Sequence, residues 1–155
     1  MTEREFNDAM DRYLDMVYRL ALNWFRQPAD AEDAAQEAML RLWRAGETFT
    51  SDDHLRHWLV RVTLNVCKDI SRSPWRQRTV PLESVSPPEF AEPENRELYR
   101  AVMDLPAKYR LPLYLYYFEG YTAGEVGQLL GVKESTVQTR LARAREKLKR
   151  QLTEE

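Results

Sequence analysis

Four basic side chains recur at helical spacing near the end of this 155-residue chain. Successive members are three, four and three residues apart, which aligns them along one face of a helix. They are Arg140, Arg143, Lys147 and Arg150. A second face of the same segment carries an apolar stripe, formed by Val137, Leu141, Ala144 and Leu148. Cationic groups in such a row bind phosphates or guanine edges, so the chemistry that they favour is recognition of nucleic acid.

The residues before this helix predict another helix and a tight turn. Thr122 and Glu125 stand three apart, as in a capping box that starts a helix. Gly131 lies where a left-handed residue would end that helix. Two helices joined in this way form a helix-turn-helix, whose second helix enters the major groove of DNA.

A basic helix with an apolar stripe is also the pattern of an ordinary solvated surface helix. The capped preceding helix and the glycine-centred turn favour the DNA interpretation. Polar residues near the start of the second helix do so too, because Thr136, Gln138 and Thr139 suit base edges or phosphates. With one cysteine and two histidines, the chain has no ligand set for a zinc finger.

A second polar-basic stripe is predicted on a helix that follows residue 53. Its members are His57, Arg61, Asn65, Lys68 and Arg72. The core face of the same helix is expected to carry Leu55, Trp58, Leu59, Val62, Val66 and Ile70. The chain would thus present two separate basic surfaces.

The elements that position these stripes are expected to be helices throughout, since no segment alternates with the period of a strand. The first helix should end before Pro28, and its apolar face is Phe6, Met10, Tyr13, Val17, Ala21 and Trp24. Asp30 is expected to cap a second helix, whose inner face is Ala31, Ala34, Ala35, Ala38 and Leu42. After a helix that stops at Pro106, another from about 107 to 118 should kink or begin late at Pro112. Its aromatic residues are expected to be core: Tyr109, Tyr114, Tyr116, Tyr117 and Phe118.

Proline and charge divide the chain into two parts. Five of the eight prolines fall within residues 74–94, which predicts a Pro-rich linker between two small all-α domains, residues 1–73 and 95–155. Residues 1–73 hold 10 Lys/Arg and 13 Asp/Glu, a net charge of −3, and the linker holds 2 and 4, a net charge of −2. Residues 95–155 hold 11 Lys/Arg and 8 Asp/Glu, a net charge of +3. The basic character is local, and the acidic remainder indicates a second, basic protein partner.

Several classes of protein are disfavoured by the sequence. The lone Cys67 excludes an internal disulfide, and the longest uncharged run has eight residues, too short to cross a bilayer. We therefore expect a cytoplasmic protein without membrane insertion. His54 and His57 lack a third neighbouring ligand, so we expect no metal and no cofactor. No phosphate-binding glycine loop or nucleophile–base pair is visible, so an enzyme is not expected.

Four segments, taken together and in order, resemble an RNA polymerase sigma factor of the extracytoplasmic-function (ECF) group in the sigma-70 family. They are residues 30–43 (DAEDAAQEAMLRLW), 55–65 (LRHWLVRVTLN), 104–110 (DLPAKYR) and 135–145 (STVQTRLARAR). The resemblance covers nearly the whole chain. It implies that residues 1–73 are sigma region 2, which binds core RNA polymerase and the promoter −10 element, and that residues 95–155 are region 4, which binds the −35 element. It also implies an anti-sigma factor as a partner.

The resemblance implies site residues for each task. Those that would bind the −35 element of promoter DNA are Lys133, Ser135, Thr136, Gln138, Thr139, Arg140 and Arg143. Those that would bind the melted −10 element are Leu55, Arg61, Asn65 and Lys68. Those that would bind core RNA polymerase are Asp33, Gln36, Glu37 and Leu40.

Three alternatives remain open on the sequence alone. The chain could be a free-standing helix-turn-helix repressor with an N-terminal interaction domain, although a repressor has no use for a single-strand reader on the third helix. The acidic patch around Leu40 could be a plain solvated face. The linker could be a spacer, or it could thread the polymerase cleft, as the family resemblance implies.

Overall fold

The computed structural model describes residues 1–73 and 96–153. Within these ranges there are seven helices and no strand, which confirms the predicted all-helical fold. The helices are α1 (Glu3–Phe25), α2 (Pro28–Ala45), α3 (Asp52–Ser71), α4 (Arg96–Asp104), α5 (Ala107–Tyr117), α6 (Ala123–Leu130) and α7 (Glu134–Thr153). They belong to two compact units, Met1–Ser84 and Val85–Glu155. The predicted Pro-rich linker, residues 74–94, lies outside the described residues.

The first unit is built by α1, α2 and α3, which pack on one another. A capping box starts α1, since Thr2 Oγ1 accepts from the Glu5 amide at 3.1 Å and Glu5 Oε1 accepts from the Thr2 amide at 3.2 Å. Arg26, in the left-handed conformation with φ of 62°, ends the helix before Pro28 as predicted. The chain then turns directly into α2.

The start of α2 corrects one prediction. Pro28 occupies the first turn and Gln27 stands at the N-cap without a side-chain hydrogen bond, so Asp30 lies inside the helix and does not cap it. Proline at the first helical position costs no hydrogen bond, because that amide has no acceptor within the helix. The predicted inner face is confirmed: Ala31, Ala34, Ala35, Ala38 and Leu42 are all at most 4 % exposed.

The buried face of α3 is rotated relative to the predicted one. Trp58, Val62 and Ile70 are only partly buried, although the sequence pattern placed them in the core. The residues that are buried are Leu55, Leu59, Val60, Thr63, Leu64, Val66 and Cys67. Thr63 can lie in the core because its hydroxyl donates to the Leu59 carbonyl at 2.6 Å, a bond that apolar periodicity does not reveal.

In the second unit, α5 and α6 both pack against α7. Helix α5 begins at Ala107 and continues through Pro112, so it does not begin late as one prediction had it. Tyr109 and Tyr114 are buried as expected. The expectation of a core position was wrong for the end of the helix, where Tyr116, Tyr117 and Phe118 are 38 %, 52 % and 64 % exposed.

The turn between α6 and α7 is set by two glycines. Gly131 ends α6 with a φ of 73°, the left-handed conformation that the sequence predicted. A Cβ at Gly127 would stand 2.6 Å from the Val132 carbonyl oxygen, so only glycine allows the turn to fold this close to the helix. The predicted capping box also forms, with Thr122 and Glu125 joined by bonds of 3.0 and 3.2 Å. These contacts fix where α7 begins.

Candidate nucleic-acid interface

The seven residues predicted on the helix-turn-helix lie together at the beginning of α7. Val137, Leu141 and Ala144 are buried and anchor the helix. The polar residues take the remaining faces: Thr136 and Arg140 are partly buried, and the others are exposed, namely Lys133, Ser135, Gln138, Thr139 and Arg143. The Thr139 hydroxyl donates to the Ser135 carbonyl at 3.0 Å, which leaves its lone pairs directed to solvent. This surface can approach a duplex without unfolding any of the core.

Five of these side chains line a groove of about 340 Å³ together with two residues from α5. The α7 members are Ser135, Thr136, Thr139, Arg140 and Arg143, and the α5 members are Lys108 and Tyr109. Sequence reasoning did not assign the last two to a site. The lowered pKa of the Tyr109 phenol is caused chiefly by a hydrogen bond from Arg143, opposed by burial and reinforced by Lys108. The groove is therefore strongly cationic.

Further along α7 the basic stripe is partly engaged within the unit. Arg150 pairs with Glu146 at 2.7 Å, and Arg145 donates to the Tyr117 hydroxyl at 2.6 Å. Exposed pairs of this kind contribute little to stability. The α7 cations that line the groove, Arg140 and Arg143, lie nearer the start of the helix.

The residues of α3 predicted to bind the −10 element are also on the surface, with one exception. Arg61 and Asn65 are exposed and Lys68 is partly buried. Leu55 is only 6 % exposed and packs in the core, so its side chain does not stand beside the other three. The surface that α3 offers is therefore formed by the three polar residues.

The start of α3 is held by side chains from α1 and from the preceding loop. Tyr13 and Arg12 of α1 both bond to the Asp52 carboxylate. On the loop side, the Phe49 ring packs edge-on against His54 and Trp58, with ring centroids 5.2 and 5.7 Å apart. The orientation of α3 is thereby set from both directions.

The predicted protein-binding residues lie on the outer face of α2. Asp33 and Gln36 are exposed, and Leu40 is 44 % exposed. Glu37 is partly buried and accepts from Arg41 at 3.3 Å. Arg41 also bonds to Asp69 of α3 at 3.0 Å, and this bond is the main cause of its raised pKa.

Sequence reasoning missed a large apolar group on the outer surface of α2. Trp43 is 46 % exposed, and its ring is edge-on to Phe6 of α1 at 5.2 Å. It follows Leu40 at the three-residue spacing that places two side chains on one helical face, which is the signal that could have identified it. Leu40 and Trp43 give this face an apolar centre. None of the described helices is long and apolar enough to span a bilayer.

Both units match families of known proteins. Residues 9–77 match Sigma-70 region 2, and residues 95–148 match Sigma-70, region 4. The ECF RNA polymerase sigma factor SigM of Mycobacterium tuberculosis is 36 % identical over 150 residues, which cover 95 % of this chain and 76 % of SigM. The ECF RNA polymerase sigma factor SigW of Bacillus subtilis is 28 % identical over 165 residues, which cover 95 % of this chain and 88 % of SigW.

Two solved structures share the fold. One is the sigma factor RpoE of Bartonella quintana in complex with the anti-sigma factor NepR, with a TM-score of 0.77, 19 % identity and coverage of 98 % of this chain and 99 % of RpoE. The other is CnrH in complex with the cytosolic domain of CnrY, with a TM-score of 0.65 and 25 % identity. It covers 97 % of this chain and 89 % of CnrH. With two family regions in order and relatives aligned over most of its length, this chain belongs to the ECF group of RNA polymerase sigma factors in the sigma-70 family.

Proposed function

We propose that this sigma factor binds core RNA polymerase through the outer face of α2, reads the −35 element with α7 and holds the melted −10 element on α3. The observation that carries the proposal is the presence of two exposed polar-basic faces, one on the region 2 match and one on the region 4 match. Catalysis of RNA synthesis would then belong to the core enzyme in the cytoplasm, and this chain would select the start site.

Reading of the −35 element is assigned to α7 because that element stays double-stranded. A helix fits the major groove, where arginine can bind guanine bidentately and glutamine can bind adenine. Gln138 and Arg143 are exposed on the first half of the helix, where they can reach base edges. Lys133, Ser135, Thr136, Thr139 and Arg140 surround them and suit the backbone. A good base contact supplies roughly 1–3 kcal/mol of discrimination.

Holding of the −10 element is assigned to α3 because a melted strand needs a positive surface and partners for unpaired bases. Asn65 carries both a donor and an acceptor on an exposed amide, enough to read one edge of an extruded base. Arg61, one turn earlier, can bind the adjacent backbone, and Lys68 adds charge. Leu55 has no part in this surface, since its side chain is buried.

Binding to core polymerase is assigned to α2 because its outer face has the composition of a protein interface. Leu40 and Trp43 form an exposed apolar centre, and Asp33, Gln36 and Glu37 form the polar rim. A charge-depleted apolar centre with a polar rim is how such interfaces are built. A solvated face alone would have no reason to expose two large apolar side chains.

We also propose that an anti-sigma factor binds this chain. In one similar structure the sigma factor RpoE is bound to the anti-sigma factor NepR, and in the other CnrH is bound to the cytosolic domain of CnrY. In this chain, exposed apolar side chains on each unit offer surfaces to cover, Leu40 and Trp43 on the first, and Tyr117 and Phe118 on the second.

Transcription from a promoter library tests the function and excludes the repressor alternative. Core polymerase alone, this protein alone and the mixture are compared on the same templates. We expect start sites only with the mixture, and co-elution of the protein with core polymerase. If the protein shifts promoter duplex by itself and never co-elutes with core polymerase, it is a repressor. The match of residues 9–77 to sigma region 2 is the specific reason to favour the sigma factor.

A further inference from the structure

We infer that the groove between the starts of α5 and α7 is a phosphate site for the −35 duplex, in which Lys108 binds one backbone phosphate and Tyr109 positions Arg143. The inference rests on the proposed function, because it takes α7 as the −35 reader. It adds two residues from outside the helix-turn-helix. The sequence pattern predicted a core position for Tyr109 and no site for Lys108.

The position of the groove brings α5 to the DNA-facing side of the second unit. Lys108 and Tyr109 are the second and third residues of α5, and α5 packs against α7. In the groove they face Thr136, Arg140 and Arg143 of the reading helix. A phosphate beside the bases that α7 reads would therefore meet groups from both helices at once.

The chemistry of the groove favours a phosphate. Its seven lining residues are three cations and four hydroxyl side chains, and none of them is acidic. The acidic residue at the start of α7, Glu134, points elsewhere: its Oε2 lies 3.6 Å from where a Cβ on Gly124 would stand. Hydroxyls and cations without a competing carboxylate are the usual partners of the DNA backbone.

The N-terminal end of α5 adds to the preference of the groove for a phosphate. The first turn of α5 contains no acidic residue, and Pro106 at its N-cap supplies no side-chain hydrogen bond. The positive end of the helix dipole is therefore not neutralised within the helix. Lys108, in the first turn of α5, adds a cation at the same end of the helix.

Tyr109 is built into the groove rather than exposed on it. Its side chain is 7 % exposed, and its ring lies 5.0 Å from Lys108 Nζ and 5.6 Å from Lys147 Nζ. Two ammonium groups this close to the ring centroid are within cation–π range. The Tyr109 ring thus has one ammonium group near it from α5 and one from α7.

The Tyr109 hydroxyl is placed to orient Arg143. Tyr109 and Arg143 line the same groove, and the interaction with Arg143 is the first cause of the lowered pKa of Tyr109. Arg143 is otherwise a long, exposed side chain with many rotamers. Holding it in one arrangement before DNA arrives reduces the entropy lost on binding.

Lys108→Gln tests the phosphate contact, with Lys149→Gln as the matched control. Both variants lose one exposed lysine, and Lys149 lies nine residues from Arg140, about 180° around α7. The assay is binding of holoenzyme to a −35 duplex over a range of salt concentrations. We expect Lys108→Gln to weaken all −35 sequences alike and to reduce the salt slope by about one, while Lys149→Gln leaves the slope unchanged. Equal slopes for wild type and Lys108→Gln would overturn the contact.

Neutral methylphosphonate linkages, placed one at a time along the −35 backbone, distinguish a DNA phosphate from a free anion in the groove. We expect one linkage that weakens wild-type holoenzyme and has no further effect on Lys108→Gln. If no such linkage exists, and inorganic phosphate at constant ionic strength displaces wild type but not Lys108→Gln, the groove holds a free anion and the inference fails.

Tyr109→Phe tests the positioning role, because phenylalanine keeps the ring near the two lysines and removes only the hydroxyl. We expect it to reduce discrimination at the base pair read by Arg143 by about fivefold, the value of one ordinary hydrogen bond. In an Arg143→Ala background the same change should have no effect. Independent, additive losses in the double variant would mean that Tyr109 acts only through packing.

Failure of the groove assignment can be distinguished from failure of the proposed function. Wild-type holoenzyme must first select −35 sequences in the same assay, and if it does not, the proposed function itself is wrong. If it does and the Lys108 and Tyr109 variants behave as wild type, only the groove assignment fails.

Discussion

The Tyr13 hydroxyl on α1 donates a 2.5 Å hydrogen bond to Oδ2 of Asp52, the first residue of α3. Arg12 pairs with the other oxygen of the same carboxylate. The carboxylate at the positive end of α3 is thus bound by two neighbours on α1 and is also favoured by the helix dipole. The end of α3 nearest the loop is therefore held in place by α1.

Tyr13→Phe should lower the free energy of unfolding of the first unit by about 1 kcal/mol near neutral pH, since one partly buried hydrogen bond is lost. Burial, followed by the bond to Asp52, raises the Tyr13 pKa from 10.0 to about 12. This contribution to stability is fully present below the unfolded pKa and is lost as pH rises through the folded one. The difference between wild type and Tyr13→Phe should therefore shrink between about pH 10 and 12. Urea unfolding followed by tryptophan fluorescence measures it, and a constant difference across this window would contradict the assignment.

Gly127→Ala should destabilise the second unit by about 1–3 kcal/mol, because its Cβ would meet a backbone oxygen that cannot move away cheaply. Gly124→Ala, in the same helix, is the control. Its Cβ would meet only the Glu134 and Thr122 side chains, both at ordinary contact distance, so this change should stabilise α6 by about 0.5–1 kcal/mol. Denaturation followed by circular dichroism compares the two, and equal effects of the two variants would show that the close turn is not the cause.

Asn65→Ala should preserve folding and binding to core polymerase and reduce open complex at the preferred −10 sequence. Asn65 is exposed, while the neighbouring Leu64 and Val66 keep α3 in the core. The loss should be roughly 1–3 kcal/mol if one base contact disappears. Permanganate footprinting of unpaired thymines measures it. An unchanged footprint together with unchanged −10 preference would remove Asn65 as a base reader.

Gln138→Ala and Arg143→Ala should each change which −35 sequences are preferred without changing affinity for core polymerase. Both side chains are exposed, whereas the buried Val137 and Leu141 hold α7 in place. Loss of a base contact alters sequence preference, while loss of a phosphate contact weakens all sequences alike. Selection from a randomised −35 library distinguishes the two results. Identical preferences for wild type and both variants would exclude this face of α7 as the reader.

Leu40→Ala should weaken binding to core polymerase by about 1 kcal/mol or more if Leu40 is at the centre of that interface. Leu152→Ala is the matched control, since Leu152 is a similarly exposed leucine at the far end of α7. Titration of labelled protein with core polymerase compares the two. An equal affinity of both variants and wild type would leave the outer face of α2 as a solvated surface.

The sequence predicted best the features whose causes are local. The Thr122–Glu125 box and the left-handed Gly131 depend on residues a few positions apart, and both form as expected. The inner face of α2 was also predictable, because alanines at helical spacing leave little choice of face. The family resemblance came from such local segments, and the family matches confirm it.

The features that the sequence did not predict arise from contacts between distant segments. Trp58, Val62 and Ile70 are only partly buried because α3 is rotated by its packing on α1 and α2, and periodicity alone could not fix that rotation. Lys108 joins the α7 groove because α5 packs on α7, some thirty residues away in sequence. The core position predicted for Tyr116, Tyr117 and Phe118 was wrong for a related reason. A run of aromatic residues does not show where the neighbouring helices stop covering it.

The alanine-lined inner face of α2 has a consequence for how this protein meets its partner. Ala31, Ala34, Ala35 and Ala38 have no side-chain torsions to lose, and at most 4 % of each remains exposed. The helix therefore rests on its neighbours through backbone and methyl contacts that leave no room for rotamer rearrangement. Asp33, Gln36 and Leu40 on the opposite side are carried by a stiff support. Under the proposed function, an arriving polymerase would meet a surface that is already ordered, so little binding free energy would be lost in ordering it.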